Sequence, residues 1–311
     1  MPVTLDRCAP GEKLRTSIFC GAVEVPLLIV RGARPGPVLA LTAAVHGDEY
    51  EGVRAIFEVF EELDAAVLAG VLVAAPVANP PAFWAGTRMS PLDGANLARV
   101  FPGRADGTAS EALAHGLGEQ VIGGADFYLD LHSGGVGWTM PSMAGYDASD
   151  ERSRAGAFAF GAPVIWGHPS TPPGRTVSFA KSRGIPFLYT EARGGARVHP
   201  DDLAMMKRGI RNLLRHIGAM AGELECSPLR AHLIGDGNID ESILAPADGF
   251  FTPAVRILDR VRRGDGAGRL LDIRGETIAE LAAPRDGIVG LVRDCPMVHA
   301  GEPLLLVTSE A

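Results

Sequence analysis

The sequence lacks the features of proteins that bind nucleic acids or cross membranes. Its formal net charge is −8, and no run of Lys and Arg forms a stripe that could neutralise a phosphate backbone. Its apolar stretches, such as residues 38–45 and 71–78, are far shorter than the roughly 20 residues of a membrane-spanning helix. The N-terminus has no basic-then-apolar signal pattern. We therefore expect a cytoplasmic protein without a nucleic-acid or membrane partner.

Cysteine is also scarce, and its spacing excludes two classes of small domain. The four cysteines contain no CxxC pair, so they form neither a disulfide framework nor a Cys-ligated zinc site. We expect four reduced thiols. Hydrophobic residues make up 47% of the 311 positions and charged residues 21%, which is the balance of an ordinary globular protein. The length suits one large catalytic unit with a smaller appendage.

Apolar runs bounded by Gly and Pro alternate with amphipathic segments through the first two thirds of the chain. The predicted strands are residues 23–30, 38–44, 71–77, 127–131, 163–166 and 186–190. The predicted helices are residues 49–63, 111–122, 149–160 and 200–221. This alternation predicts an α/β sandwich with a largely parallel sheet and with its chemistry at the carboxyl ends of the strands. Residues 79–107 show little regular pattern, as functional loops often do.

Beyond about Pro228 the pattern changes to short strands with Gly, Pro and Asp turns. We predict a catalytic domain of residues 1–225 and a C-terminal β domain of residues 226–311 that caps the cleft. An internal repeat supports the second domain. Ala-Pro-x-Asp-Gly occurs at residues 245–249 and again at 283–287, each followed by a similar segment. Two such copies can fold on each other as a small quasi-symmetric β sandwich.

Two histidines and one glutamate follow apolar strands in an arrangement typical of catalytic zinc sites. His46 and Glu49 lie three residues apart after the strand at 38–44, and His132 follows the strand at 127–131. Two imidazoles and a carboxylate with an open fourth position are the ligands of a catalytic zinc ion. Asp48 and Asp130 are candidates to accept the distal ring proton of a ligand histidine.

Taken together, these motifs resemble the succinylglutamate desuccinylase and aspartoacylase family, a branch of the zinc carboxypeptidase-like fold. The resemblance covers nearly the whole chain, including the paired repeat of the C-terminal part. It implies an α/β/α sandwich with a small C-terminal β sandwich of barrel-sandwich type. The matching segments, in the order of the family, are His46-Gly47-Asp48-Glu49, Asn79-Pro80, Arg88, Asp93-Gly94, Arg99-Val100-Phe101-Pro102-Gly103, Asp130-Leu131-His132-Ser133-Gly134 and Thr190-Glu191.

The resemblance implies one Zn²⁺ per chain and two catalytic residues. Amide hydrolysis at zinc needs a base that takes a proton from the attacking water and passes it to the leaving amine. Glu191 suits that role, because it comes after the strand at 186–190 and before two glycines that let a ligand approach the backbone. Arg88 matches the family arginine that stabilises the oxyanion.

Substrate recognition is predicted at Arg99, Asn96 and Arg175. The usual family motif, Asp-Gly-x-Asp-Leu-Asn-Arg-x-Phe-Pro-Gly, binds the substrate carboxylate through its Asn and Arg. Here Arg99 is kept and could bind a carboxylate in bidentate fashion, but the acidic position is Asn96 and the amide position is Ala98. These departures argue against carrying over a specificity for N-acetylaspartate or succinylglutamate.

Residues 46–52 resemble the subgroup associated with ectoine degradation, so we predict a deacylase of a small N-acyl amino acid, for instance an acetylated diamino acid. The alternatives are a metallocarboxypeptidase of short peptides, a hydrolase of a different small amide, including a cyclic one, and an inactive ligand-binding protein. A lipoyl-type carrier is disfavoured because Lys13, Lys181 and Lys207 all lie outside the C-terminal domain. The predicted partner is a small-molecule substrate, and a homo-oligomer is left open.

Overall fold

A mixed sheet of fourteen strands runs through the computed structural model, which describes residues 7–235, 237, 239 and 242–311. The first ten strands are β1 (Glu12–Cys20), β2 (Val23–Arg31), β3 (Arg34–Ala43), β4 (Ala69–Ala75), β5 (Phe127–Leu131), β6 (Trp138–Thr139), β7 (Met143–Asp147), β8 (Val164–His168), β9 (Phe187–Glu191) and β10 (Ala231–Ile234). The helices are α1 (Glu51–Glu62), α2 (Pro80–Ala85), α3 (Ala109–Leu117), α4 (Glu151–Phe160), α5 (Thr176–Ser182) and α6 (Pro200–His216). The later strands are β11 (Ile243–Leu244), β12 (Gly249–Pro253), β13 (Arg260–Val261), β14 (Gly266–Leu271), β15 (Thr277–Ala282), β16 (Gly287–Arg293), β17 (Met297–Val298) and β18 (Pro303–Glu310).

Four parallel strands, in the order β4-β3-β5-β9, form the centre of this sheet. Successive side chains point to opposite faces, so each strand contributes to two cores. Leu129 packs in the core covered by α1, α4 and α6, whereas Tyr128 packs in the core covered by α3 and α5. The predicted α/β/α sandwich is therefore confirmed, and the carboxyl ends of β3, β5 and β9 meet at one edge.

The predicted elements agree with the structure most closely where the apolar pattern is strongest. The strand predicted at 127–131 has the same bounds as β5. The helix predicted from Glu49 begins at Glu51, which leaves Glu49 in the turn before α1. Strands β1 and β7 and helix α5 were not predicted. The irregular stretch 79–107 contains α2 and a 3₁₀ turn, Leu97–Arg99.

The repeat in the C-terminal part folds on itself as predicted. Asp248 of the first copy accepts a hydrogen bond from the Ala300 N–H at 2.9 Å, and Asp286 of the second copy accepts one from the Arg263 N–H at 2.7 Å. Each copy thus closes a turn of the other. Strands β12, β14, β15 and β17 form a separate four-stranded sheet, and a compact apolar core lies between residues 243 and 307.

The large sheet continues from the first part of the chain into the second. Strand β18 pairs with β10 on one side and β16 on the other, and β6 pairs with β16. The division at residue 225 stays a prediction. All four cysteines are free thiols, as expected. Among the described residues, no helix is both long and apolar enough to cross a membrane.

Candidate active site

His46, Glu49 and His132 converge at the carboxyl ends of β3 and β5. One ligand atom from each residue lies within 4.8 Å of the other two, so the three could hold a metal ion. The His46 Nδ1 is 2.7 Å from one Glu49 oxygen, and the His132 Nδ1 is 2.8 Å from the other. This convergence follows from the parallel pairing of β3 with β5, which places Ala43 beside Leu131.

Both histidine rings present the same nitrogen to the cluster. The His132 Nε2 is 2.9 Å from an Asp130 oxygen, and the His46 Nε2 is 3.1 Å from the Asn96 Oδ1. Because these oxygens only accept hydrogen bonds, each Nε2 carries the proton that it donates. A neutral ring then has a lone pair at Nδ1, facing Glu49. Acceptor atoms this close repel unless a cation or a proton lies between them, so the donor set fits a metal ion.

The electrostatics of the cluster reflect this crowding of charged groups. Burial disfavours a charged His132, but the carboxylates of Asp130 and Glu49 raise its pKa well above the usual value. Burial, helped by the Arg88 guanidinium, lowers the pKa of His46 to about 4. Burial also disfavours an ionised Glu49, yet the two histidines hold its pKa below the usual value. The cluster therefore keeps an ionised carboxylate away from water.

Asp130 belongs to a buried network that fixes the orientation of His132. Its carboxylate is 1% exposed and accepts hydrogen bonds from the Thr42 hydroxyl at 2.6 Å and from the Thr176 hydroxyl. Asp130 thus accepts the distal ring proton of His132, as the sequence suggested.

Asp48 does not accept a ring proton from either histidine. It accepts a hydrogen bond from the Val136 N–H at 3.0 Å, and the oxygen that faces His46 belongs to Asn96.

Glu191 is the last residue of β9 and lines the same cavity as the two histidines. Its Oε2 is buried and has no hydrogen-bond partner among the described residues. Burial raises the pKa of Glu191 to about 8, since a carboxylate loses solvation away from water. A carboxyl group with a raised pKa and an unpartnered oxygen, beside a candidate metal cluster, is a group that can accept and return a proton.

Arg88 reaches the cluster from the loop that follows α2. Its Nη1 is 3.2 Å from the His46 Nδ1 and 3.4 Å from a Glu49 oxygen, and its Cζ lies 5.0 Å from the centre of the Trp138 ring. The backbone at Gly47, next to His46, packs closely against α2, the helix that precedes Arg88. A Cβ at Gly47 would lie 2.0 Å from the Ala82 carbonyl carbon, so a residue with a side chain does not fit there.

The cavity beside the cluster has a volume of about 140 Å³. Two of the predicted substrate residues, Arg99 and Arg175, line it. Their loops touch at Gly174, where an added Cβ would lie 2.4 Å from the Arg99 carbonyl oxygen and where φ is +85°.

Asn96, the third predicted substrate residue, contacts His46 and its own turn. Its Oδ1 faces the His46 Nε2 and also accepts a hydrogen bond from the Ala98 N–H at 2.9 Å. These contacts indicate that Asn96 orients the His46 ring, and Asn96 is not among the residues that line the cavity.

Several cavity residues were not assigned from the sequence. Trp138 and Tyr146 line the cavity, whereas Trp166 is 1% exposed in the core. Tyr189 and His168 also line it, and their side chains hydrogen-bond at 2.7 Å. Tyr189 could have been identified from the alternation of side chains along β9. It lies two positions before Glu191, and residues two apart on a strand point to the same face.

Known proteins share both the sequence pattern and the fold. Residues 35–217 match the model of the succinylglutamate desuccinylase/aspartoacylase catalytic domain, which is more than half of the chain. The N-alpha-acetyl-L-2,4-diaminobutyric acid deacetylase of Halomonas elongata is 33% identical over 295 residues, covering 92% of this chain and 86% of that protein. The chain belongs to the succinylglutamate desuccinylase/aspartoacylase family.

Solved structures of this family superpose over nearly the full chain. A succinylglutamate desuccinylase/aspartoacylase from Rhodobacter sphaeroides has a TM-score of 0.84 at 32% identity, covering 93% of this chain and 90% of that one. The product-bound ectoine utilization protein EutE (DoeB) from Ruegeria pomeroyi has a TM-score of 0.86 at 31% identity, covering 96% and 93%. The predicted family and fold are confirmed. The chain is an amide hydrolase that acts on C–N bonds other than peptide bonds.

Proposed function

We propose that this family member is a zinc-dependent deacylase of a small N-acyl amino acid, with an N-acetylated diamino acid as the first candidate substrate. The observation that carries the proposal is one cavity in which Glu191 and Arg88 meet His46 and His132. The named activity of the Halomonas elongata relative supports the choice of an acetylated diamino acid. A cytoplasmic location and a homo-oligomer stay predictions from the sequence.

The zinc ion would be held by the Nδ1 atoms of His46 and His132 and by the Glu49 carboxylate. This set of two histidines and one glutamate leaves a coordination position open, as catalytic zinc sites do. When bound, the metal supplies Lewis-acid chemistry that polarises a carbonyl and makes water more acidic. Asp130 and Asn96 hold the two rings in the tautomer that such binding needs.

Glu191 transfers the proton in amide hydrolysis, and Arg88 stabilises the negative charge that develops on the carbonyl oxygen. Glu191 takes a proton from the attacking water at its buried carboxylate and delivers it to the nitrogen of the leaving amine. Arg88 donates N–H groups to the oxygen of the scissile carbonyl as negative charge develops there. Arg99 and Arg175 line the cavity, and we propose that they bind a substrate carboxylate.

The shape of the cavity favours small substrates over peptides. Leu291 and Ile239, which lie beyond residue 226, contribute to its wall. The C-terminal part therefore restricts the space in which a longer chain could extend. The competing reactions, trimming of short peptides and opening of a cyclic amide, are outcomes of the test below.

The test is a turnover assay of zinc-loaded wild-type protein and the Glu191→Gln variant on five compounds. These are Nα-acetyl-L-2,4-diaminobutyrate, N-acetylaspartate, N-succinylglutamate, a ring-closed amide and a blocked dipeptide. We expect the acetylated diamino acid to give the highest kcat/KM, and we expect the variant to be nearly inactive on it. A preference for the dipeptide or the ring-closed amide would overturn the proposed substrate class. Equal turnover by the variant would overturn the assignment of Glu191.

A further inference from the structure

Trp138 connects the cavity to the C-terminal part of the chain. It lies in the short strand β6, which pairs with β16 so that Trp138 is opposite Arg293. Its indole N–H donates to the Pro303 carbonyl oxygen at 3.3 Å, and the Arg293 Cζ lies 5.4 Å from the centre of its ring. The position of the indole is thus set by residues more than 150 positions away in the sequence.

Arg293 is itself held in place by several acceptors. It is 9% exposed, and its guanidinium donates to the Cys295 carbonyl at 3.0 Å, the Met297 carbonyl at 3.3 Å and a Glu302 carboxylate oxygen at 3.1 Å. A buried cation with this many acceptors has little freedom to move. The indole therefore packs against a fixed partner.

Arg88 packs over the same indole from the side of the candidate active site. Its guanidinium is about a quarter exposed (24%), and the polar groups that it contacts among the described residues belong to His46 and Glu49. Both of those residues are proposed metal ligands, so their lone pairs would be engaged when the metal is bound. The contact with Trp138, at 5.0 Å between Cζ and ring centre, does not compete with the metal.

We infer that the C-terminal part of the chain positions the Arg88 guanidinium through Trp138. Trp138 is then a positioning residue, which acts on the reaction through Arg88. The inference rests on the proposed role of Arg88. The inference gives residues 287–303 an indirect role in the reaction, in addition to the contribution of Leu291 to the wall of the cavity.

The test is a double-mutant cycle on kcat for Nα-acetyl-L-2,4-diaminobutyrate, with Arg88→Met, Trp138→Leu and the double variant. We expect Arg88→Met to lower kcat about 10²- to 10³-fold. We expect Trp138→Leu to lower it about 10-fold with little change in KM, because a displaced guanidinium stabilises the transition state poorly. The double variant should be no slower than Arg88→Met alone. Losses that multiply in the double variant would overturn the inference. An Arg88→Met variant with wild-type kcat would instead overturn the proposed role of Arg88.

Two control variants separate positioning from a general loss of stability. Trp138→Phe keeps an aromatic face for Arg88 and should restore kcat to within about threefold of the wild type. Trp84→Leu removes an indole that is 84% exposed on α2, and it should leave kcat unchanged. If Trp138→Phe is as slow as Trp138→Leu while both unfold at the wild-type temperature, the aromatic face does not position Arg88.

A crystal structure of Trp138→Leu tests the same inference without any substrate. We expect Arg88 to adopt a different rotamer once the indole is gone. An Arg88 side chain in its wild-type position would overturn the inference.

Discussion

The site has two halves that are built differently. The sheet-edge half consists of His46, Glu49, His132 with its partner Asp130, and Glu191, which are held by the buried ends of parallel strands or the turns that follow them. The loop half lies within residues 79–107 and supplies Arg88, Asn96 and Arg99. Asp130 is 1% exposed and Glu49 is 3% exposed, whereas Arg88 is 24% exposed.

The two candidate ligand histidines show what this difference means. His132 donates to a carboxylate that two threonine hydroxyls hold in place, while His46 donates to a neutral amide at a 3₁₀ turn. A carboxylate partner makes a histidine a stronger ligand than an amide does. We therefore expect the sheet-edge half to dominate metal affinity and the chemical step, and the loop half to tune substrate choice.

The largest expected effect comes from Glu191 in the sheet-edge half. Glu191→Gln removes the proton acceptor but keeps the shape of the side chain, so turnover should fall about 10²- to 10⁴-fold. Zinc content should stay at the wild-type level, because Glu191 is not a proposed ligand. Kinetics on the best substrate and metal analysis of the same preparation measure the two quantities. A variant that turns over at the wild-type rate would remove Glu191 from the role of base.

A matched pair of substitutions compares the two histidine partners directly. Asp130→Asn should weaken zinc binding about 10- to 100-fold, because His132 loses its anionic partner. Asn96→Ala should weaken it by less, since the lost acceptor is neutral. Competition with a chromogenic chelator measures both dissociation constants. A larger loss for Asn96→Ala than for Asp130→Asn would reverse the comparison.

The reverse substitution in the loop half sharpens the same point. Asn96→Asp places a carboxylate opposite the His46 Nε2, and we expect tighter zinc binding than in the wild type. The same chelator competition measures it. Unchanged or weaker binding would show that the charge of this partner does not set the affinity.

A smaller effect is expected at Arg99 in the loop half. Arg99→Ala should raise KM for carboxylate substrates about 10-fold and change kcat little, because it removes binding that ground state and transition state share. Arg104→Ala is the control, since that arginine is 68% exposed and its ion pair is with Glu111. An unchanged KM in Arg99→Ala would exclude Arg99 from substrate binding.

Local pattern predicted the parts of the site that depend on single strands. The apolar run before His132 gave the bounds of β5, and parallel pairing then brings His132 to Glu49. The sequence pattern did not identify the residue that accepts the hydrogen bond from the His46 ring, which is Asn96. The chain leaves the extended conformation at Ala44, which has a φ of +49°. The alternation of side chains along β3 therefore does not predict the direction of the Asp48 side chain.

Contacts between distant segments were also beyond the reach of sequence pattern. Asn96 meets His46 across 50 positions of the chain, through a loop with little regular pattern. The packing of Trp138 depends on the pairing of a two-residue strand with β16, and two residues carry no readable alternation. Such contacts arise from tertiary packing, which a single sequence does not display.

The central claim is that His46, Glu49 and His132 form a zinc site, and metal analysis tests it most directly. The purified protein and the His132→Ala variant are stripped with a chelator, reloaded with zinc and analysed for bound metal. We predict one zinc ion per wild-type chain and a large loss of bound zinc in the variant. A wild-type protein that holds no zinc, or a variant that holds as much as the wild type, would contradict a site made by His46, Glu49 and His132.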